Sequence, residues 1–360
     1  MSQIIDQARA VREGEELDLV ALESYLASEL AGYEAPLTVE QFPKGHSNLT
    51  YLLRAGNRQL VLRRPPFGTR VKTAHDMARE YRILSDVQGV YNKAPEPYLY
   101  CGDESVIGAP FYVMDRVEGV ILRGGKPPAG LGLTSDVMQA LSTALIDGLA
   151  ELHAIDVATA GLSSLGRPEG YVERQVTGWT KRYFDAKTDE VPAVEEAASW
   201  LADHLPPDQP GALIHGDYKY DNLVLDPRRL TRIVAVLDWE MATVGDPLMD
   251  LGTTLGYWID PNDPDENKLL PLGPTLLPGN LTRMELVERY AKQSGRDTFD
   301  AVFYYVYALL KIAVIAQQIY KRYVDGHTKD PRFAMMIMGV QILGKTAALA
   351  LDKDRIYDLG

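Results

Sequence analysis

Two aspartates and an asparagine in the second half of the chain have the types and spacing that phosphoryl transfer requires. Asp217 precedes Asn222 by five positions, and Asp238 follows Asn222 by sixteen. A carboxylate such as Asp217 can accept the proton of an attacking hydroxyl group. Amide and carboxylate oxygens, as on Asn222 and Asp238, can bind Mg²⁺ that is held on nucleotide phosphates. The set therefore predicts one proton acceptor and two metal ligands.

Short apolar runs flank these residues and predict the strands that position them. Residues 212–214 and 223–225 lie on either side of the Asp217 segment, and residues 233–237 end at Asp238. Polar residues in such places are poorly suited to a sheet core, which favours a functional role. We expect the three side chains to converge around one divalent ion.

The first third of the chain predicts an antiparallel sheet with two helices. Apolar side chains recur at helical spacing over residues 17–30 and 76–87. The β-favouring runs between and after these helices are separated by turn-forming residues. They predict strands over residues 37–42, 50–54, 59–63, 98–101 and 110–117.

The rest of the chain is dominated by longer helical patterns. Helices are expected over residues 135–153 and through most of residues 283–351, whereas the proline-rich residues 261–278 are expected to be irregular. The character of the sequence changes near Gly119. We therefore predict an α+β protein with an N-terminal lobe, residues 1–116, and a C-terminal lobe, residues 117–360.

A family resemblance rests on the same residues. His215, Gly216, Asp217 and Asn222, followed by the pair Asp238-Trp239, resemble the hallmark of the aminoglycoside phosphotransferase and choline kinase family. Residues 61–66 and the pair Asp221-Asn222 are similar to the kinase-like domains associated with acyl-CoA dehydrogenases. The resemblance extends over about residues 42–252. It implies a two-lobed protein-kinase-like fold, with an antiparallel-sheet N-lobe that binds nucleotide and a mainly helical C-lobe that carries the catalytic loop, the metal loop and the acceptor site.

The resemblance also implies which residues contact the nucleotide phosphates. Ser47 and Asn48 lie in a polar segment between two predicted strands, and the family binds phosphate with loops of this type. Arg63 stands where most kinases have lysine. Its guanidinium can bind phosphate oxygens and can pair with Glu80 from the following helix. The alternative, a solvated arginine on an edge strand, is the favoured interpretation for Arg64.

By the same match, the adenine base lies against the segment between the lobes. The carbonyl of Asp115 and the amide of Val117 are expected to contact the base, with Met114 behind it. Lys219 stands where small-molecule kinases of this family often have histidine. It either stabilises charge on the transferring phosphoryl group or forms a salt bridge within the loop.

Other polar residues near the motif are expected to support the structure. We expect His215 to orient the loop and Asp221 to cap or turn it. Asp246 and Asp250 are expected to support a metal loop or cap a helix, and His153 is expected to be a buried structural histidine.

Composition excludes several classes of partner. The 360 residues include 37 basic and 50 acidic side chains, a net charge of −13 that disfavours binding to nucleic acid. The single cysteine, Cys101, cannot form an intrachain disulfide or a thiolate zinc site.

The charged N-terminus does not resemble a signal peptide. The apolar runs over residues 301–310 and 335–351 are too short or too interrupted to span a membrane. A cytoplasmic protein without a membrane span is expected.

The leading hypothesis is an ATP-dependent, Mg²⁺-requiring kinase that phosphorylates a hydroxyl group of a small molecule. The similarity to the acyl-CoA dehydrogenase-associated domains implies a hydroxyacyl or acyl-CoA-like acceptor and a functional link to an acyl-CoA dehydrogenase. The acidic composition would also suit an aminoglycoside or a choline-like amino alcohol. A catalytically silent nucleotide-binding module is a further alternative, suggested by Arg63. A protein kinase is disfavoured, because Trp239-Glu240 follows Asp238 and no Ala-Pro-Glu segment closes an activation loop.

Overall fold

The structure is a computed structural model that describes residues 6–43, 48–67, 76–124, 127, 130–298, 300–328 and 330–360. Helices and strands alternate in the first part of the chain and helices dominate the second, which confirms the α+β class. The strands within the described residues are β1 Leu37–Gln41, β2 Leu49–Ala55, β3 Arg58–Arg64, β4 Pro97–Cys101, β5 Phe111–Asp115, β6 Ala212–Ile214, β7 Leu223–Asp226, β8 Arg229–Val236 and β9 Thr243–Gly245. The helices are α1 Leu19–Glu29, α2 Met77–Gln88, α3 Ser135–His153, α4 Tyr171–Ala186, α5 Pro192–Asp203, α6 Pro247–Gly256, α7 Arg283–Ser294, α8 Ala301–Val324 and α9 Met336–Lys353.

The chain forms two compact units. The first contains Met1–Ile121 and Leu223–Ala242, and the second contains Leu122–Asn222 and Thr243–Gly360. The sequence placed the boundary between residues 116 and 117 and assigned residues 223–242 to the second lobe. By their contacts those residues group with the first unit, because the hairpin of β7 and β8 hydrogen-bonds to Val120 and Lys93.

An antiparallel sheet in the order β1-β2-β3-β5-β4 forms the first unit. One face packs on α1, where Leu22 and Leu26 are fully buried against strand residues such as Tyr51 and Leu62. Each such apolar side chain contributes about 1.5–3 kcal/mol when it is removed from water. Strand β5 ends at Asp115, two residues before the predicted end, and its pairing with β3 ends there with Leu60 opposite Asp115.

The opposite face of the sheet carries Arg63. Side chains alternate between the two faces of a strand, so Arg63 points away from the cluster that contains Leu60 and Leu62. Helix α2 packs near this face and begins at Asp76, whose side chain accepts the backbone N–H of Arg79. This arrangement places Glu80 of α2 beside Arg63 of β3.

Helix α8 is the central helix of the second unit. It packs against α4, α5, α6 and α9. Two glycines of α6 permit a close approach, since a Cβ at Gly252 would overlap the carbonyl oxygen of Tyr304 and one at Gly256 would press on Ala308. The antiparallel pair of β6 and β9 lies beside these helices, and β6 leads into the segment that carries Asp217.

Two helical segments of the second unit are longer than the apolar runs in the sequence indicated. Ala301–Val324 and Pro331–Lys353 are long and apolar enough to span a membrane, which corrects the expectation that both runs were too short. The most apolar window of the first is 72% buried within the protein, and that of the second is 39% buried. Core helices satisfy the same length and composition test, so the finding alone assigns no membrane.

Candidate active site

The loop after β6 brings three of the predicted residues together. Lys219 Nζ lies 2.9 Å from Asp217 Oδ1, and Asn222 Nδ2 lies 2.9 Å from Asp217 Oδ2. Asn222 Nδ2 also donates to the backbone carbonyl of Asp217, at 2.8 Å. The Asp217 side chain is 18% exposed, so a carboxylate fixed by two donors is still open to a small molecule.

Lys219 makes the salt bridge that the sequence offered as one of two interpretations. Its Nζ lies 4.0 Å from the ring centroid of Tyr257. Burial alone would lower the pKa of Lys219, but Tyr257 and Asp217 raise that pKa above its ordinary value. The ammonium group therefore stays charged at neutral pH beside Asp217.

Asp250 anchors the loop from behind. Its two carboxylate oxygens accept the backbone N–H groups of His215 and Gly216, at 2.6 and 2.8 Å. His153 lies 3.2 Å from Asp250 and 2.8 Å from the hydroxyl of Tyr290. Asp250 is fully buried, and the bonds from His153 and the loop lower its pKa despite the cost of burial. These contacts are structural ones, of the kind the sequence indicated for Asp250 and His153.

In the first unit, Arg63 is surrounded by acidic groups. Its guanidinium lies 2.9 Å from Glu80, 3.1 Å from Asp238 and 3.9 Å from Glu240. Asn48 Nδ2 donates to Glu240 Oε2 at 3.1 Å. Four predicted residues, Asn48, Arg63, Glu80 and Asp238, thus form one cluster with Glu240.

The electrostatics of this cluster are those of a partly buried ion network. Burial raises the pKa of Glu80, and Arg63 beside it opposes that rise. Burial alone would lower the pKa of Arg63, but Glu80 and Asp238 raise it well above its ordinary value. Three carboxyl groups therefore lie around the Arg63 guanidinium.

A turn with unusual backbone geometry presents Asp238. Its φ of 68° lies in the left-handed region, which aspartate tolerates better than most residues. The indole of Trp239 donates to the Val236 carbonyl at 2.8 Å, and Arg79 donates to the carbonyls of Glu240 and Ala242. The backbone around Asp238 is thereby fixed to β8 and to α2.

Sequence reasoning missed Glu240 and Arg79. Glu240 stands two positions after Asp238 in a motif already noted, and this proximity was the available signal. Arg79 precedes Glu80 on α2, but its contact with residues about 160 positions away could not be inferred from spacing. Arg64 does not join the cluster and donates to the carbonyl of Ile107 at 2.8 Å. It is buried on a strand inside the sheet, so the expectation of a solvated arginine on an edge strand is wrong.

The three residues predicted to contact the adenine base lie at or just after the end of β5. Met114 and Asp115 are its last two residues, and Met114 is buried. Val117 follows in an irregular segment. Ser47 lies outside the described residues. Asp217, Lys219 and Asn222 belong to the second unit and Asp238 to the first, so their convergence around one ion stays a prediction.

The five-stranded sheet and the helical unit together define a fold of the kinase-like phosphotransferases. The chain matches the phosphotransferase enzyme family, APH, over residues 38–286. A solved protein from Ralstonia eutropha JMP134, assigned to the aminoglycoside phosphotransferases, is 31% identical, with coverage of 92% of this chain and 99% of that one and a TM-score of 0.73. The chain belongs to the phosphotransferase enzyme family, APH.

A choline kinase shares the fold, and longer proteins share sequence with the chain. Choline kinase from Cryptosporidium parvum Iowa II is 12% identical with a TM-score of 0.62, and the match covers 95% of this chain and 98% of that one. Acyl-CoA dehydrogenase family member 10 of Mus musculus is 36% identical over 329 residues, which cover 91% of this chain and 30% of that protein. The chain thus spans about a third of that relative's length. The family resemblance drawn from the motif is confirmed.

Proposed function

We propose that this protein is a kinase that transfers the γ-phosphoryl group of ATP to a hydroxyl group of a small molecule, with Mg²⁺. The observation that carries the proposal is the Asp217 carboxylate, held between Lys219 and Asn222 and still partly exposed. Family membership supports the reaction class.

Asp217 is the proton acceptor in this reaction. As the acceptor hydroxyl oxygen bonds to the γ-phosphorus, its proton moves to the Asp217 carboxylate. The bond between the γ-phosphorus and the bridging oxygen of the β-phosphate breaks, and ADP leaves. Lys219, which stays charged because its pKa is raised, stabilises negative charge on the transferring group.

The donor set fits a divalent cation. Asn222 donates through its amide nitrogen to Asp217, so the amide oxygen is the group suited to a cation. Asp238 supplies a carboxylate, and Glu80 and Glu240 lie near the same Arg63 guanidinium. Mg²⁺ is usually bound in proteins by one or two side chains together with substrate phosphates, which is the arrangement proposed for Asn222 and Asp238. When bound, the ion neutralises charge on the phosphates.

The proposed acceptor is a hydroxyacyl or acyl-CoA-like compound. Its support is the name of the longer relatives, which are acyl-CoA dehydrogenase family members. The same names are the support for a proposed functional link to an acyl-CoA dehydrogenase. An aminoglycoside or a choline-like amino alcohol is the second candidate, supported by the match to the protein from Ralstonia eutropha JMP134.

The experiment is a screen of ATP consumption with hydroxyacyl thioesters, amino sugars and amino alcohols, followed by Asp217→Asn with the best acceptor. We expect kcat to fall about 10²–10⁴-fold, the usual range for a general base. Asp185→Asn is the control, because Asp185 makes an exposed ion pair on α4. Full activity of Asp217→Asn would refute the role of Asp217.

Arg63 in place of lysine supports a second candidate, a module that binds nucleotide without catalysis. Calorimetry with Mg-ATP separates the two. Binding without turnover of any compound in the screen would favour the silent module, and turnover would exclude it.

A further inference from the structure

A buried lysine of α8 contacts the loop that carries Asp217 but does not belong to the set of Asp217, Lys219 and Asn222. Lys311 is 4% exposed, and its Nζ lies 2.5 Å from the carbonyl oxygen of Gly216. Burial of an ammonium group is costly unless strong interactions offset the cost. The contact with this carbonyl is therefore a feature that needs an explanation.

The carbonyl that Lys311 binds belongs to the peptide unit that enters Asp217. The N–H of the same peptide unit donates to His215 Nδ1 at 3.2 Å. The preceding peptide N–H groups are held by Asp250. Gly216 has a φ of 81°, a conformation that other residues rarely adopt. The N–H groups of His215, Gly216 and Asp217 and the carbonyl of Gly216 are thus each bound by a buried side chain.

The charges around Lys311 come from three elements. The loop contributes Asp217 and Lys219, α6 contributes Asp250, and α4 contributes Arg182. The two acids favour the ammonium form, and the two basic groups oppose it. Burial is the largest influence and lowers the pKa of Lys311 to about 8.

We infer that Lys311 is a positioning residue for the proposed kinase reaction. Its ammonium group fixes the Gly216 carbonyl and so orients the Asp217 carboxylate toward the acceptor hydroxyl. Because the ammonium form is lost as pH rises through the pKa, this hold weakens on the alkaline side and is complete below it. The inference rests on the proposed function for its catalytic consequence and on the loop geometry for its structural one.

The structural consequence is tested by hydrogen–deuterium exchange at residues 215–217, in the full chain without added substrate. In the wild type, protection relative to unstructured amides falls about tenfold or more between pH 7 and pH 9, the effect of losing a hydrogen bond to a charged group. In Lys311→Met, protection is low at both pH values and shows no step. Lys321→Met, an exposed lysine of the same helix, behaves like the wild type.

Wild-type protection in Lys311→Met at pH 7 would overturn the inference. If that variant fails to fold, the wild-type chain alone provides the test. Amide protection at residues 215–217 that does not fall between pH 7 and pH 9 would also overturn the inference. With an acceptor in hand, Lys311→Met lowers kcat at pH 7 about tenfold, leaves the KM for ATP unchanged and abolishes the alkaline decline. If protection falls with pH as expected but no acceptor is phosphorylated, the proposed function is rejected. The structural role of the contact between Lys311 and the Gly216 carbonyl is then still supported.

Discussion

Arg63 shows how one side chain can organise a cluster of acids. Its guanidinium bridges Glu80 on α2 and Asp238 after β8, and Asn48 holds the third acid, Glu240. A lysine ammonium is a point charge, whereas the planar guanidinium can serve two carboxylates at once. The departure from the usual lysine therefore has a geometric reason in this chain.

Substitution of Arg63 tests that reason. Arg63→Met leaves Glu80 buried without its cation, and we expect the free energy of unfolding to fall by about 3–5 kcal/mol. Urea unfolding measures the loss. Arg54→Met is the matched control, because Arg54 pairs with Glu40 on the exposed part of the same sheet, and its effect should stay below about 1 kcal/mol. Equal effects of the two substitutions would contradict the prediction.

The loop residues of the site were more accessible to sequence reasoning than the others. Asp217, Lys219 and Asn222 lie within six positions, so a short loop suffices to bring them together. Lys311 contacts the Asp217 loop and Arg79 contacts the turn after Asp238, each from a helix distant in sequence, and nothing in their local patterns distinguishes them from other basic residues. Composition indicates which side chains can do chemistry, but only packing decides which backbone atoms they bind.

At the scale of elements, the packing of α6 against α8 supports the loop that carries Asp217. Asp250 and Lys311 lie on these two helices, and Gly252 lets the helices approach closely. A shift of either helix would move an anchor of the Gly216 peptide. The packing of two helices thus bears on the position of one carboxylate.

Gly252→Ala tests this contact. The added methyl group would overlap the Tyr304 carbonyl oxygen, and overpacking of this kind costs about 1–3 kcal/mol. We expect a lower Tm in thermal unfolding. Gly89→Ala is the control, since its φ is −67° and no heavy atom lies within 4 Å of the new Cβ. An unchanged Tm for Gly252→Ala would show that the helices separate at little cost.

Helical periodicity predicted the elements well where it was long and regular. Helix α3 has the predicted limits, Ser135–His153. The predicted helical tail is divided into three helices. Gly295 ends α7 and Gly326 lies just after α8, and both glycines have positive φ values. The grouping of β7 and β8 with the first unit depends on pairing with Val120, a contact between residues more than a hundred positions apart.

At the scale of the whole molecule, ligand binding should raise stability by mass action. Mg-ATP at about 100 times its Kd would stabilise the folded chain by about 2.7 kcal/mol. A thermal shift assay should show a rise in Tm with Mg-ATP and a smaller rise when EDTA removes the metal. Arg63→Met should reduce the Mg-ATP shift, whereas Arg54→Met should retain it. No shift at millimolar Mg-ATP would count against nucleotide binding altogether.

The discontinuity of the first unit also matters while the protein is being made. Its last strands, β7 and β8, leave the ribosome only after residues 122–222 of the second unit have been synthesised. At usual elongation rates that interval is on the order of 10 s. During it, the sheet lacks the hairpin that bonds to Val120, and the acids that will face Arg63 include two that are not yet translated. Nascent chains of this protein therefore pass through a stage in which Arg63 on β3 has been synthesised but Asp238 and Glu240 have not.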